Sequence, residues 1–562
     1  MQEPSRRAMS SRDTYDDVIV GSGVNSLVAG ALLSRAGRKV CVLEVNDYFG
    51  GAIKTAELTK PGFVHDVFSA WHPLFVLSPA YARLRDDLEA RGLSYLSTPA
   101  VTATAFPDGS AAVLTTSLDE NVAELEHHAA GDGEAWRRAC AEFQATSGLS
   151  YGLLSTELAS PAGAALALRA LRQLGPSGVA GFAGNLLTTS RAWLEATFSS
   201  PRVRGLLAPW VLHTGLGPDA ASSGFMNRAI VDVLQSVGLP IPQGGSARLV
   251  DALVQVISER GGHCRSRAEA DTVLVDRGRA TGVRLSDGEI VNARQAVLCS
   301  VSPQQLYGHL LRDTALPPEV VAESQRFRVG RAGMQIHYAL VAAPLWQADE
   351  RLARTPVVHL TPGLDGVSRA VNEADRGLLP DTATIVCGQP CVADPSRAPD
   401  GGSTLWIQLQ DVPARPVGDA AGTIDVGTGE WTQSLRERYA DRIQDRIGRH
   451  IAGFESSILA RVVLSPADIA AANRNLVGGD IYGGACDLDQ SFLWRPSPSL
   501  RGHRTPVIGL FHIGASTHPG PGLGAGSGQI VADQLLAHSA ATRHLCDAGR
   551  KAVLSWRHLR AR

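Results

Sequence analysis

Between Asp16 and Gly51 the chain reads DDVIVGSGVNSLVAGALLSRAGRKVCVLEVNDYFGG, and this stretch constrains the fold more than any other. Val18, Ile19 and Val20 make an apolar strand that runs into Gly21-Ser22-Gly23. A helix follows, with Leu27, Val28, Leu32 and Leu33 on its apolar side, and a second strand, Val40 to Leu43, ends in Glu44. Strand, Gly-rich turn, helix, strand and terminal acid, in that order, open a βαβ unit built to hold a dinucleotide pyrophosphate. Gly21 permits the tight turn, and Gly23 lets the backbone approach the phosphates. The helix start at Val24 and Asn25 offers free N–H groups and a partial positive charge to the anion. Glu44, followed by Val45, stands where a carboxylate can accept hydrogen bonds from a ribose diol. The third fingerprint position is Ser26, where Gly or Ala is usual.

Two further pieces narrow the choice of nucleotide. Residues 506–536 read PVIGLFHIGASTHPGPGLGAGSGQIVADQLL. A strand, Leu510 to Gly514, breaks into a loop rich in Gly and Pro and re-enters a helix near Ser527, again presenting backbone amides at a helix N-terminus. Midway, Pro242-Gln243-Gly244-Gly245-Ser246 precedes a helix containing Leu249, Leu253 and Val256, and a hairpin-like stretch, EADTVLVDRGRATGVRLSDGEIVNARQAVLCS, follows. With LEVNDYFGGAIKT after the second strand, these pieces resemble the FAD-dependent phytoene-desaturase-like oxidoreductases. That family includes carotenoid desaturase, ketolase and pyridine-nucleotide-disulfide-domain branches.

The resemblance implies FAD as the cofactor. It places Gly50 and Gly51 at the family's GG pair and Ala52 where an Arg is usual, so backbone N–H groups or another Arg must supply the missing cation. Ala270 falls where a Val usually packs against the adenine. Gly514, Ala515, Ser516, Thr517, His518, Pro519 and Gly520 match the family's flavin loop, from which Pro521 departs, and Gly522, Leu523 and Gly524 continue it. His518 is read as a cofactor contact or, equally, a structural residue. The implied reaction is hydride transfer between flavin and carbon–carbon bonds of a large apolar polyene or terpenoid.

A chain of 562 residues exceeds one ordinary core. The expected fold class is α/β: a Rossmann-type FAD-binding domain assembled from discontinuous segments, with an α+β substrate domain formed by two long insertions. The expected boundaries are a flexible N-terminus at 1–13, an FAD domain from 14–76, 238–305 and 503–540, a substrate domain from 77–237 and 306–502, and a C-terminal helix or tail at 541–562. The first insertion reads as mostly helical. Its stretch SPAGAALALRALRQLGPSGVAGFAGNLL could be a core helix pair, a channel lid or a surface dipping into lipid, and apolar periodicity favours core. In the second, Met334 to Leu340 and Leu405 to Leu409 read as strands with one polar and one apolar face, suited to flooring a pocket.

Bulk properties exclude other classes. A net charge of −2 makes no case for nucleic acid, and basic residues are nearly all Arg, Lys occurring only at 39, 54, 60 and 551. Among eight Cys, Cys387 and Cys391 lack the second pair or clustered His of a zinc site, so no metal is expected. Met1 to Asp13 is polar with no apolar run behind it, and no stretch has the length of a membrane span. The expected location is the cytoplasm, with contact at a membrane surface left open. No Ser-His-Asp order, HExxH or P-loop supports hydrolase or kinase chemistry.

The segment GFVHDVFSAWHPLF (62–75) is the expected wall beside the flavin, as the family resemblance implies. Its ionisable members, His65, Asp66 and His72, are the catalytic candidates: a His exchanging a proton near neutral pH, or a buried Asp stabilising an allylic cation. The structural alternative makes His65–Asp66 a local hydrogen-bonded pair and His72-Pro73 a turn. Tyr482, Asp487 and Asp489 could also face the pocket. Two rival functions stay open: a flavin enzyme that reduces, isomerises or cyclises a polyene using NAD(P)H, and a non-catalytic flavin-binding partner protein. The electron donor or acceptor and the oligomeric state are not read from the sequence.

Overall fold

The computed structural model describes residues 14–538, so the expected flexible N-terminus (1–13) and C-terminal tail (541–562) lie outside the described residues. Strand β1 (Thr14–Val20), helix α1 (Val24–Arg35) and strand β2 (Val40–Leu43) form the N-terminal unit where the sequence places it. β1 pairs in parallel with β2, Val18 opposite Cys41, and on its other side with Ile290–Ser300, Val18 opposite Val297. Parallel strands buried on both faces need continuous apolar residues, and Val40 to Leu43 are all buried. α1 is also buried nearly all round, Asn25, Ser26 and Ser34 included, so it has no solvent face for its polar residues to mark.

The same sheet gathers distant segments. His263–Arg265 adds to β2. The meander Ala270–Asp276, Arg279–Leu285 and Ile290–Ser300 runs antiparallel, and Leu510–Ile513 returns parallel to Ile290–Ser300 with Leu298 opposite Phe511. Helix Ala247–Glu259 packs on α1, so closely that a Cβ on Gly30 would lie 2.9 Å from Ile257 Cδ1. Gly30, four residues after Ser26, is the α1 residue whose missing side chain this helix contact requires.

A second seven-stranded sheet runs Ile458–Leu464, Ala332–Leu340, Ser403–Val412, Ile385–Gly388, Val357–Leu360, Ala100–Ala105, Ala111–Thr115. Its last two strands come from the first insertion, which is therefore not only helical. Leu405, Ile407 and Leu409 pack into a core under helix Gln433–Gly448, while Trp406, Gln408 and Gln410 take the opposite face, as strand alternation requires.

The Ala- and Leu-rich stretch forms a kinked helix, Pro161–Leu187, broken at Gly175 (φ +67°) ahead of Pro176. None of its residues is buried, which corrects the core expectation: Leu168, Leu171 and Leu187 stand 45–57% exposed. No helix among the described residues is long and apolar enough to cross a membrane.

Candidate functional site

The two sheets meet around a cavity of about 530 Å³. At one end lies the Gly-rich turn. Gly21 (φ +86°) makes it, and a Cβ on Gly23 would meet nothing within 4 Å, so the backbone there faces open space. α1 has no side-chain N-cap and no acidic residue in its first turn, which leaves its first N–H groups free for an anion. Glu44 is held at the end of β2 by the N–H and Oγ–H of Ser22, which donate to Oε2 at 3.0 and 2.6 Å, and by the N–H of Asn46, which donates to Oε1 at 2.9 Å. A carboxylate accepts about four such bonds, so one site remains. Val45, Gly50, Gly51, Ala52 and Ala270 complete this end of the wall. Ser26 is buried behind it with an unpartnered hydroxyl. Arg474 is the cavity's one Arg or Lys among the described residues; it is paired to Glu269, in a segment whose Asn473 Nδ2 would lie 3.8 Å from a Cβ on Gly51.

The C-terminal loop closes over this end. Gly514, Ala515, Gly522 and Leu523 reach the cavity, whereas Gly524 lies just behind, 3.6 Å from Leu74 O if given a Cβ. Ser527 Oγ accepts the N–H of Gly514 at 3.0 Å and bonds Thr517 Oγ1 at 2.8 Å, fixing the loop to the helix that follows. Arg495, 1% exposed, also clamps it: its guanidinium donates to Ala515 O at 3.0 and 2.8 Å and to the carbonyls of Tyr482, Gly483, Ala485 and Gln490. Sequence reading missed Arg495 because nothing local marks it. His518 turns away from the cavity; both ring nitrogens are buried without partners, and burial pushes its pKa down to about 4. The backbone of this loop, and not the imidazole, faces the cavity.

The expected wall divides. Phe68 to Leu74 line the cavity, but His65 and Asp66 do not. Asp66 Oδ2 accepts from Arg397 Nη1 at 2.9 Å, and Oδ1 from Thr55 Oγ1 at 2.6 Å and Ser246 N at 2.8 Å. Arg397 in turn donates to Asp394, so the fully buried ion pair locks the loop at 393–403 into the core. Every Asp66 bond is structural, which corrects its catalytic assignment. His65 bonds Thr59 Oγ1 at 2.7 Å and meets the His337 ring edge-on, in the same supporting layer.

His72 does reach the cavity. Its Nδ1 bonds Tyr95 Oη at 3.0 Å and its Nε2 has no partner. Burial, aided by the charge of Arg397, pushes its pKa down to about 3. The ring is therefore neutral at physiological pH, and the expected proton exchange near neutrality is corrected to a fixed, uncharged hydrogen-bonding group. Asp487 and Asp489 pair with Arg328 at the surface, while Tyr482 lines the cavity and donates to Leu212 O at 2.5 Å.

Beyond Trp71 the wall belongs to residues the sequence reading did not single out. Trp210 and His213 fall three apart on the short 3₁₀ turn Ala208–Thr214, where side chains at that spacing eclipse. Their rings stack at 4.5 Å. Trp406 meets Trp71 edge-on at 5.3 Å. The PWVLHT spacing was the available signal, visible only if a 3₁₀ turn is assumed.

Fold and cradle together define an oxidoreductase built on a Rossmann-type dinucleotide-binding unit. The sequence family described as NAD(P)-binding Rossmann-like domain matches residues 19–88. Over 556 residues the chain is 28% identical to the pyridine nucleotide-disulfide oxidoreductase domain-containing protein 2 of Mus musculus, covering 92% of each chain. It is 27% identical over 540 residues to the hydroxyneurosporene desaturase of Cereibacter sphaeroides, covering 93% of this chain and 98% of that one. In fold it is similar to an oxidoreductase from Methanosarcina mazei, with a TM-score of 0.59 at 16% identity, covering 92% and 99% of the two chains. The chain resembles the phytoene-desaturase-like oxidoreductases along nearly its whole length and is an enzyme of that type.

Proposed function

We propose that this enzyme uses FAD to transfer hydride to or from carbon–carbon bonds of a large apolar substrate of the polyene or terpenoid kind. The observation that carries the reading is a single cavity with a nucleotide cradle at one end and an indole-lined wall at the other. The cradle fits the cofactor: the open space at Gly23, the uncapped start of α1 and the remaining acceptor site on Glu44 suit a pyrophosphate and a ribose. Gly23, Val24 and Asn25 would hold the pyrophosphate, Ala270 would pack by the adenine, and Gly514, Ala515, Gly522 and Leu523 would border the flavin ring. Arg474 takes the part of the cation that Ala52 cannot supply. Hydride exchange with carbon is the chemistry that FAD brings when bound. Trp71, Trp210 and Trp406 keep water from the reacting carbons and orient an apolar chain, and neutral His72 fixes that wall through Tyr95.

On this reading 14–76, 238–305 and 503–540 form the FAD unit, and 77–237 with 306–502 the substrate unit. We assign the exposed helix Pro161–Leu187 to a membrane surface. Its outward leucines flank Arg169 and Arg172, a pattern suited to an anionic lipid interface. It packs against Ser223–Val237, whose Ile230 lines the cavity.

The test is the cofactor extract of the purified full chain, followed by anaerobic mixing with a polyene. FAD in the extract and a polyene-driven absorbance change near about 450 nm support the reading. An extract holding only nicotinamide nucleotide overturns it, and bleaching by NADPH without any polyene response supports the rival reductase.

A further inference from the structure

The wall opposite the nucleotide cradle is not that of a hydrocarbon tunnel. Strand Ser403–Val412 directs Trp406, Gln408 and Gln410 to the cavity in succession. Gln408 is half-buried within an otherwise buried strand, and its amide has no protein partner among the described residues. Gln410 Oε1 is buried and unpartnered. Opposing them, His213 is clamped by the stacked Trp210 ring, and its Nε2 lies 3.3 Å from His359 Nε2. His213 Nδ1 has no partner among the described residues.

Buried polar groups rarely go without partners, because each lost hydrogen bond costs about 1–3 kcal/mol. Gln410 Oε1 is shut away from solvent while the Gln408 amide and His213 Nδ1 open onto the cavity, and three unpartnered polar groups around one cavity mark where a ligand supplies the missing partner. The histidine pair sets the kind of partner. With both rings neutral, one Nε2 donates and the other accepts, so His213 Nδ1 donates in one tautomeric arrangement and accepts in the other. A hydroxyl or a carbonyl satisfies it equally. Charge argues against an ion: burial pushes His213 down to about 3 and holds His359 well below its ordinary value. The carboxylates and guanidinium on the cavity wall, Glu44, Glu269 and Arg474, all stand at the nucleotide end.

We propose that His213, Gln408 and Gln410 form a recognition site for an uncharged oxygen, hydroxyl or carbonyl, carried on the otherwise apolar substrate. The proposal rests on the apolar-substrate reading above.

The experiment titrates the FAD-loaded full chain with four matched isoprenoids, farnesene, farnesol, farnesal and farnesoate, and reads binding from flavin and tryptophan fluorescence. Farnesol and farnesal are expected to bind about tenfold more tightly than farnesene or farnesoate, the scale of one good neutral hydrogen bond. H213F should bring farnesol and farnesene within about twofold of each other while flavin content is unchanged, and Q408L, which leaves the histidine pair intact, should narrow the gap independently. Equal affinity for hydrocarbon and alcohol, tightest binding of farnesoate, or a preference that survives both substitutions overturns the proposal while leaving the apolar-substrate reading standing. Binding of none of the four overturns both.

Discussion

Asn25 Oδ1 accepts the backbone N–H of Gly528 at 3.2 Å across 503 residues of sequence, joining the first turn of α1 to the start of the last described helix. The approach is so close that a Cβ on Gly528 would lie 1.9 Å from Asn25 O. The same few ångströms hold Ser527, whose hydroxyl fixes Gly514. The two ends of the chain therefore build one cradle, and neither can move without the other.

Gly528→Ala should consequently damage both stability and cofactor loading. Backbone cannot yield as a side chain does, so a loss of about 3 kcal/mol or more is expected, at or above the top of the usual range for overpacking. Denaturant unfolding and the flavin-to-protein ratio check this, and a variant matching the wild type in both would show that the contact is slack.

Gly23→Val tests the cradle without that ambiguity. Its φ of −60° suits a branched residue and its Cβ would touch no protein atom, so the apoprotein should fold normally. The side chain would instead occupy the space where the pyrophosphate approaches. Far-UV circular dichroism should be unchanged, flavin should be absent, and the melting temperature should equal that of wild type stripped of flavin. A fully loaded variant would remove this turn from the cofactor site.

What could be read from the sequence follows from the range of the forces involved. β1, α1 and β2 were legible because Gly21, the apolar runs and Glu44 act within a few residues of each other. Trp406 and Gln408 were legible as a strand face, though not as a particular wall, and Gln410 lies just past the end of the strand as read from the sequence. Arg495 and the His213–His359 pair were not, because their partners lie on elements that only the tertiary fold brings together. The helix at 161–187 misled for another reason: apolar composition signals burial only where a partner covers the apolar face, and its packing on Ser223–Val237 leaves none of its residues buried. His65 and Asp66 stood in the right segment, but Thr59 and His337 hold the one and Arg397 the other as its support.

His72 should matter for orientation and not for proton transfer. His72→Ala is expected to keep FAD bound and to slow single-turnover flavin reduction or oxidation about 10²-fold, the effect of a misplaced wall. Because burial holds the ring neutral throughout the physiological range, the ratio of variant to wild-type rate should be constant from about pH 5.5 to about pH 8.5. A ratio that changes tenfold per pH unit would restore the acid–base role, and an unaltered rate at full occupancy would leave only structure.

The exposed helix makes a separate prediction. Replacing Leu168 and Leu171 together by Glu should abolish co-flotation with vesicles containing an anionic phospholipid. Both side chains are nearly half exposed, so stability should change by no more than about 0.5 kcal/mol each. Flotation equal to that of the wild type, or a wild type that never floats, would set the membrane assignment aside.

Acid should unfold this protein early. Burial pushes His72, His213 and His337 down to about 3, and His65, His512 and His518 to about 4. In the unfolded chain these rings take up protons as pH falls through about 6.5, whereas the native protein refuses them until far lower. Their neutral burial therefore favours the folded state fully above about pH 6.5, and each site loses about 1.4 kcal/mol per pH unit below it. Burial raises Asp17 to about 7, Asp411 to about 6 and Asp480 above its ordinary value, and all three act in the opposite sense by binding a proton in the native state first. Three carboxyls against six imidazoles leave the net slope positive between about pH 4 and about pH 6.5. Denaturant midpoints measured at about pH 7.5 and about pH 5 should fall sharply at the lower value. A flat or rising midpoint would mean that several of these histidines are protonated, and so hydrated, in the native protein.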